Sequence, residues 1–258
     1  MHSKEAKLQA FDRLLEIMNE LREKCPWDRE QSMESLRNLT IEETYELADA
    51  ILEENLEEVR KELGDLILHI VFYSKIGEEK GVFDIADVLE GINSKLVFRH
   101  PHVFGERKVE NSGEVIENWE ELKMKEGNRS VLAGVPLSLP AIIKAHRIQD
   151  KVRAVGFDWN KREEVWEKVN EEIHELRHEL ENGSSKEGME EEMGDLLFSI
   201  VNAARLYDIE PETALERTNR KFIQRFRYLE DTAREMGRSL KEMSLEEMEA
   251  IWQEAKSR

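Results

Sequence analysis

Apolar residues recur along this chain at spacings of three and four, and convincing apolar–polar alternation is absent, so the pattern predicts helices almost throughout. Amphipathic segments run approximately over 5–24, 33–53, 55–80, 84–99 and 114–126, then over 139–153, 161–181, 186–207, 211–235 and 245–256. The five prolines and thirteen glycines serve mainly as punctuation between them. Gly127–Ala141, GNRSVLAGVPLSLPA, combines Gly, Ser and two prolines and reads as a linker. The expected organisation is all-α, with tandem helical domains at 1–126 and 142–258 joined by residues 127–141.

The two sets of helices repeat one another in their polar residues. Glu42, Glu43 and Glu46 precede Glu62 and Asp65, just as Glu171, Glu172 and Glu175 precede Glu192 and Asp195. KELGDLI, starting at Lys61, is answered by EEMGDLL, starting at Glu191. Asn93–Arg99 answers Asn219–Arg225, keeping Lys95 and Arg99 in step with Lys221 and Arg225, and Trp119 answers Trp252. Acids, Asn, Lys, Arg and Trp are not residues that a bundle core requires.

On a helix, residues three apart share a face, so Glu43 with Glu46, and Glu62 with Asp65, each form a two-carboxylate clamp. A polar break at Glu53-Glu54-Asn55 lets the two helices fold back antiparallel and bring the clamps together. Four carboxylates in one small volume repel each other and raise one another's pKa unless cations fill the space. All-oxygen ligands select hard ions such as Mg²⁺ or Mn²⁺. The alternative is a non-catalytic acidic scaffold whose acids merely solvate helix faces, since 57 of 258 residues are Asp or Glu. Thr40 and Glu43 also have the form of a capping box, but the position matching Thr40 is Val169, which cannot cap, and Glu172 is still present. Gly64 and Gly194 each cost a helix interior about 1 kcal/mol relative to alanine, which points either to close approach of another helix or to room for a ligand.

Composition narrows the partners. The formal net charge of −19 repels polyanions, so a nucleic acid polymer is not expected as a partner, whereas a small anion escorted by a divalent cation is compatible with it. No apolar run reaches the roughly 18 to 20 residues that span a bilayer, and Cys25 has no partner for an internal disulfide, so a soluble, cytoplasmic protein without a membrane is expected. Lys221 and Arg225, four apart, suit an anionic oxygen or form an ordinary solvated pair. Trp119 and Trp252 either stack on a heterocyclic base or belong to the core. His69 is answered by Ser199, so a shared metal site does not need it, and the absence of E-x-x-H pairs in the matching places disfavours a di-iron bundle. Walker, Rossmann and serine-hydrolase signatures are absent.

The phrases EETYELADAI…KELGDLILHIVFY and NEEIHELRHEL…EEEMGDLLFSIVNAAR resemble the E-E-x-x-E…E-x-x-D signature of MazG-type nucleoside triphosphate pyrophosphohydrolases, of the all-α NTP pyrophosphatase superfamily. CPWDREQS, RHPHVFG, SVLAGVPLSLPAI and VGFDWN extend the resemblance over almost the whole chain, toward the two-domain bacterial form. The resemblance implies Mg²⁺-dependent hydrolysis of nucleoside triphosphates, with broad base tolerance, to the monophosphate and pyrophosphate, as a house-cleaning activity. It implies half-bundles completed by homodimerisation, in keeping with helix pairs that have one apolar seam and cannot close a core alone. It makes Glu172, Glu175, Glu192 and Asp195 the metal ligands of the second domain, with Glu172 or Glu175 helping to deprotonate water and Glu171 orienting. Lys168, Lys221, Arg225 and Trp252 become nucleotide contacts. The first domain keeps Glu43, Glu46, Glu62 and Asp65 for metal and Lys95, Arg99 and Trp119 for substrate, but Leu39 answers Lys168, so the activity is expected in the C-terminal domain.

Overall fold

The computed structural model describes residues 1–106, 109, 114–115, 130–183 and 185–256. Two compact units divide the chain, Met1–Glu110 and Asn111–Arg258. The first holds α1 (Lys4–Lys24), α2 (Pro26–Glu30), α3 (Met33–Leu52), α4 (Leu56–Glu79), α5 (Ile85–Arg99) and α6 (Pro101–Phe104). The second holds α7 (Ala141–Arg153), α8 (Val165–Asn182), α9 (Lys186–Leu206), α10 (Pro211–Glu235) and α11 (Leu245–Ala255), with 3₁₀ turns at Arg162–Glu164 and Leu240–Glu242. No strand occurs among the described residues, so the chain is all-α with a helical set in each unit. None of these helices is long and apolar enough to cross a membrane.

The short helices α2 and α6 fall outside the amphipathic segments, because one turn of helix has no measurable periodicity; each opens on a proline, whose missing N–H and fixed φ suit a first turn. Of the linker, residues 130–139 form turns and bends, apart from irregular positions at 135–136, and Pro140 precedes α7. The segment 114–126, which includes Trp119, lies outside the described residues except for 114–115.

Helix ends follow from side-chain caps. Ser32 and Ser35 satisfy each other's backbone N–H at the start of α3, Asn55 accepts from the Glu58 N–H at the start of α4, and Ser185 accepts from the Gly188 N–H at the start of α9. Thr40 lies two turns inside α3, so the capping reading of Thr40 and Glu43 fails: its hydroxyl donates to the Leu36 carbonyl and meets the Tyr73 hydroxyl at 2.7 Å. At the break between α3 and α4, Glu54 adopts φ 55° and lets the chain turn back on itself.

Each unit has its own core. In the first, Met18, Leu36, Val71, Phe72 and Ile76 are buried, with Leu39, Leu68 and Tyr73 packed against them. In the second, Val165, Val169 and Ala203 are buried, with Ile173, Leu196 and Leu206 around them. The Thr40–Tyr73 contact of the first unit is answered in the repeat by Val169 and Ala203, an exchange of both polar partners for apolar ones that leaves no orphan. A guanidinium secures each core edge. Arg22 donates from Nε to Glu79 Oε1 at 2.9 Å and reaches the carbonyls of Asp28 and Gln31. Arg205, itself buried, pairs with Asp158 and donates from Nη2 to Asn202 Oδ1 at 2.9 Å.

Candidate metal centre

The α3–α4 pair carries the first acidic motif and the α8–α9 pair the second. In each pair one acid comes from the first helix and two from the second. Glu43, Glu62 and Asp65 place a carboxylate oxygen each within 4.8 Å of the other two, and so do Glu172, Glu192 and Asp195. Glu46 and Glu175 stand one turn further along α3 and α8, both exposed, and are not part of these groupings. They still act on them. Burial raises the Glu43 carboxyl above its ordinary range, and Asp65, Glu46 and Glu62 raise it further. Partial burial raises Glu192 in the same way, with Glu175, Asp195 and Glu172 adding to it.

Two features separate these clusters from solvated acidic faces. Glu62 is 3% exposed and Glu172 is 4% exposed, a depth at which an ionised carboxylate needs a cation. Glu62 Oε2, moreover, is buried without a hydrogen-bond partner. An orphaned oxygen inside a ring of acids, with no nitrogen or sulfur in the donor set, suits a small hard cation. The residues present therefore fit Mg²⁺ or Mn²⁺.

A lysine partly offsets the charge in each cluster, from a different place. Lys61 Nζ lies 2.9 Å from Glu62 Oε1 and 3.4 Å from Glu58 Oε2. Lys168 Nζ lies 2.8 Å from Glu171 Oε1 and 2.7 Å from Glu172 Oε1. Both ammonium groups are pushed well above the lysine range, Lys61 chiefly by Glu62 and Lys168 by Glu171 and then Glu172. Glu171 is otherwise exposed and is held by Lys168. In the repeat Lys168 is answered by Leu39 and Lys61 by Glu191, so the lysine has changed helices between the copies. The role of Lys61 escapes a reading of motifs taken one at a time; the signal is the double exchange.

The remaining expected residues sit further off. Lys95 and Arg99 lie in the last turns of α5, and Lys221 and Arg225 lie one turn apart on α10, with the lysine exposed and the arginine half-buried in both copies. Among the described residues, Lys221 and Arg225 make no ion pair with the acids of the second cluster. Trp252 is half-buried against Phe222, with ring centroids 5.0 Å apart, and Phe222 stacks on Phe226 at 6.2 Å. His69 is buried with Nδ1 unpartnered, and burial lowers its pKa against the pull of Asp65. Gly64 and Gly194 have open space where a Cβ would stand, so no helix of their own unit presses on them.

The fold and site together define an all-α protein with a duplicated carboxylate centre on paired helices. Residues 31–104 and 161–229 match the MazG nucleotide pyrophosphohydrolase domain, so the domain occurs twice. The chain is 43% identical over 257 residues to the nucleoside triphosphate pyrophosphohydrolase of Escherichia coli (strain K12), covering 96% of this chain and 98% of that one. It is 42% identical over 251 residues to the nucleoside triphosphate pyrophosphohydrolase/pyrophosphatase MazG of Thermotoga maritima, covering 95% of each. It is also 46% identical over 260 residues to the uncharacterized protein YabN of Bacillus subtilis (strain 168), where it spans 53% of the longer chain. The chain belongs to the MazG nucleotide pyrophosphohydrolase family, whose members are hydrolases of phosphoric anhydride bonds.

Proposed function

We propose that the protein hydrolyses nucleoside triphosphates of several bases to the monophosphate and pyrophosphate, with Mg²⁺ (or Mn²⁺ in its place), at the cluster of the second unit, as a nucleotide-pool house-cleaning activity. The observation that carries this reading is the convergence of Glu172, Glu192 and Asp195 within 4.8 Å, one of them deeply buried, in a chain matching the family twice. Glu172, Glu192 and Asp195 would hold the metal, with Glu175 adjoining. When bound, the metal supplies positive charge to the phosphates and acidifies water. Glu175, exposed beside the cluster, accepts a proton from the attacking water. Glu171 keeps Lys168 in position, and Lys168 offers its remaining N–H donors to a phosphate oxygen. Lys221 and Arg225 bind the departing pyrophosphate, and Trp252 gives an aromatic wall to the nucleotide. Lys95 and Arg99, and Trp119 outside the described residues, are the matching positions for binding substrate in the first unit. Replacing Glu172 by Gln is expected to remove pyrophosphate release while leaving the helical circular dichroism unchanged; full activity in a chain carrying both Glu172→Gln and Glu43→Gln overturns the reading.

We infer further that the chain is a homodimer. Leu63, Ile67 and Ile70 on α4 are 44 to 48% exposed, and the matching Met193, Leu197 and Ile200 on α9 are 44 to 53% exposed. Apolar residues spaced four and three apart form a seam that water should not wet, repeated in both copies and flanked by the uncrowded Gly64 and Gly194. A second copy covering the seam accounts for both the exposure and the glycines. Sedimentation should give twice the chain mass, reduced to one chain mass by Ile67→Glu with Leu197→Glu; a monomeric parent protein contradicts it.

A further inference from the structure

Beside the second cluster lies a cleft of about 550 Å³, a size that suits a nucleoside. Comparison of the two copies shows that its polar lining is not a demand of the fold. Leu39, His69 and Phe72 pack inward in the first unit, and the positions that answer them, Lys168, Ser199 and Asn202, all line the cleft in the second. Lys168 also contacts Glu171 and Glu172, so the cleft adjoins the acids. Asp195, Ser199 and Asn202 follow at intervals of four and three on one face of α9, which sets Asn202 roughly 10 Å beyond Asp195 along the helix axis.

Two hydrogen-bonding groups in this wall are open to a ligand. Asn202 Oδ1 accepts from Arg205 Nε at 3.1 Å and from Nη2 at 2.9 Å, and a guanidinium can only donate, so Asn202 Nδ2 must face away from it. Neither Nδ2 nor the Ser199 hydroxyl makes a hydrogen bond to a described residue. Neither is enclosed: among the described residues, the buried polar side-chain atoms without a partner are Glu62 Oε2, His69 Nδ1 and Gln149 Oε1. Gln149, whose Nε2 donates to the Phe198 carbonyl at 2.9 Å, therefore keeps its oxygen out of a ligand's reach. Asp158 and Arg205 neutralise one another, while Phe157, Trp159 and Phe198 make much of the remaining wall aromatic. Such a wall suits the faces of a flat ring, with donors for an acceptor on its rim.

We propose that the cleft seats the base of the triphosphate and that Asn202 Nδ2 donates to an exocyclic oxygen on the base, which makes Asn202 a specificity-determining residue. This rests on the triphosphate reading of the adjacent cluster. Asn202 lies further from the acids than Ser199, so it meets the edge of the base remote from the sugar. Hypoxanthine, guanine, uracil and thymine carry a carbonyl at that edge, whereas adenine and cytosine carry an amino group, which would oppose one N–H donor to another. Deamination of adenine or cytosine exchanges the amino group for the carbonyl, so the preference favours the deaminated base over its parent.

The test compares inosine triphosphate with ATP, and UTP with CTP, in the full chain carrying Glu62→Gln, so that turnover belongs to the second cluster. kcat/KM should be roughly tenfold higher for the carbonyl member of each pair, mainly through KM. Asn202→Asp keeps the oxygen held by Arg205 and turns the donor into an acceptor, so the preference should reverse toward ATP and CTP. Equal kcat/KM for inosine triphosphate and ATP, or a preference for ATP, overturns the proposal. So does an Asn202→Asp chain that slows both alike, because a structural role acts on every substrate. If Asn202→Asp does not fold, the paired comparison in the Glu62→Gln chain decides. Pyrophosphate released without base preference removes this proposal alone, whereas absence of pyrophosphate with every triphosphate removes the triphosphate reading and this proposal with it.

Discussion

The two acid clusters share a frame but receive their cation from opposite helices. In the first unit the lysine stands on α4, next to the buried Glu62, while the α3 position that could have held one is Leu39, packed into the core. In the second it stands on α8, touching the buried Glu172 and lining a cleft of about 550 Å³, while the α9 position is Glu191. The acids tolerate the exchange because either lysine can offset one buried carboxylate. What differs is what else the lysine reaches. Lys61 pairs with Glu62 and Glu58, whereas Lys168 joins the acids to a cavity of nucleoside size. The two copies thus keep the same grouping of acids, and the lysine of the second also lines a cleft.

The strongest way to break this comparison is to remove one buried acid at a time. Glu172→Gln should lower pyrophosphate release by about 100-fold or more, because several kcal/mol of charge stabilisation depend on it, while Glu62→Gln keeps most of the turnover. Equal losses in a steady-state assay would mean that both units work. Next in size is the response to metal. Saturating Mg²⁺, at about a hundred times its dissociation constant, should stabilise a cluster by about 2.7 kcal/mol, read as a rise in Tm that Glu62→Gln and Glu172→Gln each diminish. A scaffold of solvated acids would show no rise. Smaller again is Lys168→Leu, which copies the first unit into the second: KM for a triphosphate should rise about tenfold, the worth of one charge-assisted hydrogen bond, with Lys61→Leu leaving KM unchanged.

The smallest effect is on acid stability. Burial pushes the Asp158 carboxyl up, but the Arg205 guanidinium and the Trp159 N–H more than reverse this and hold it below the ordinary aspartate value of 3.8. A depressed carboxylate contributes stability that is present above its unfolded pKa and lost as pH falls through its folded one. Denaturant titrations at a series of pH values should therefore show stability falling as pH drops below about 3.8, and Asp158→Asn should flatten that part of the curve. In the first unit Arg22 lowers Glu79 in the same sense, so Glu79→Gln is the matched control.

The helix pairs and the convergence of three acids in each were legible because E-x-x-E and E-x-x-D spacing fixes a face, and because a repeat separates meaningful acids from the many incidental ones. The spacing also pointed to Glu46 and Glu175, which lie one turn along from Glu43 and Glu172 and outside these two groupings. Gln149 has no spacing signature at all: it is one amide in an amphipathic helix, and only the Phe198 carbonyl, 49 positions away in the chain, shows which atom is spent. The Asp158–Arg205 pair, 47 positions apart, was hidden for the same reason. Periodicity reports faces, whereas these contacts depend on how one face meets another.

The most direct measurement is to incubate the full chain with a nucleoside triphosphate and Mg²⁺ and to identify the products by phosphorus NMR. Monophosphate with pyrophosphate, lost in Glu172→Gln, is the predicted result. Diphosphate with phosphate, or undiminished turnover in a chain carrying both Glu62→Gln and Glu172→Gln, would contradict it.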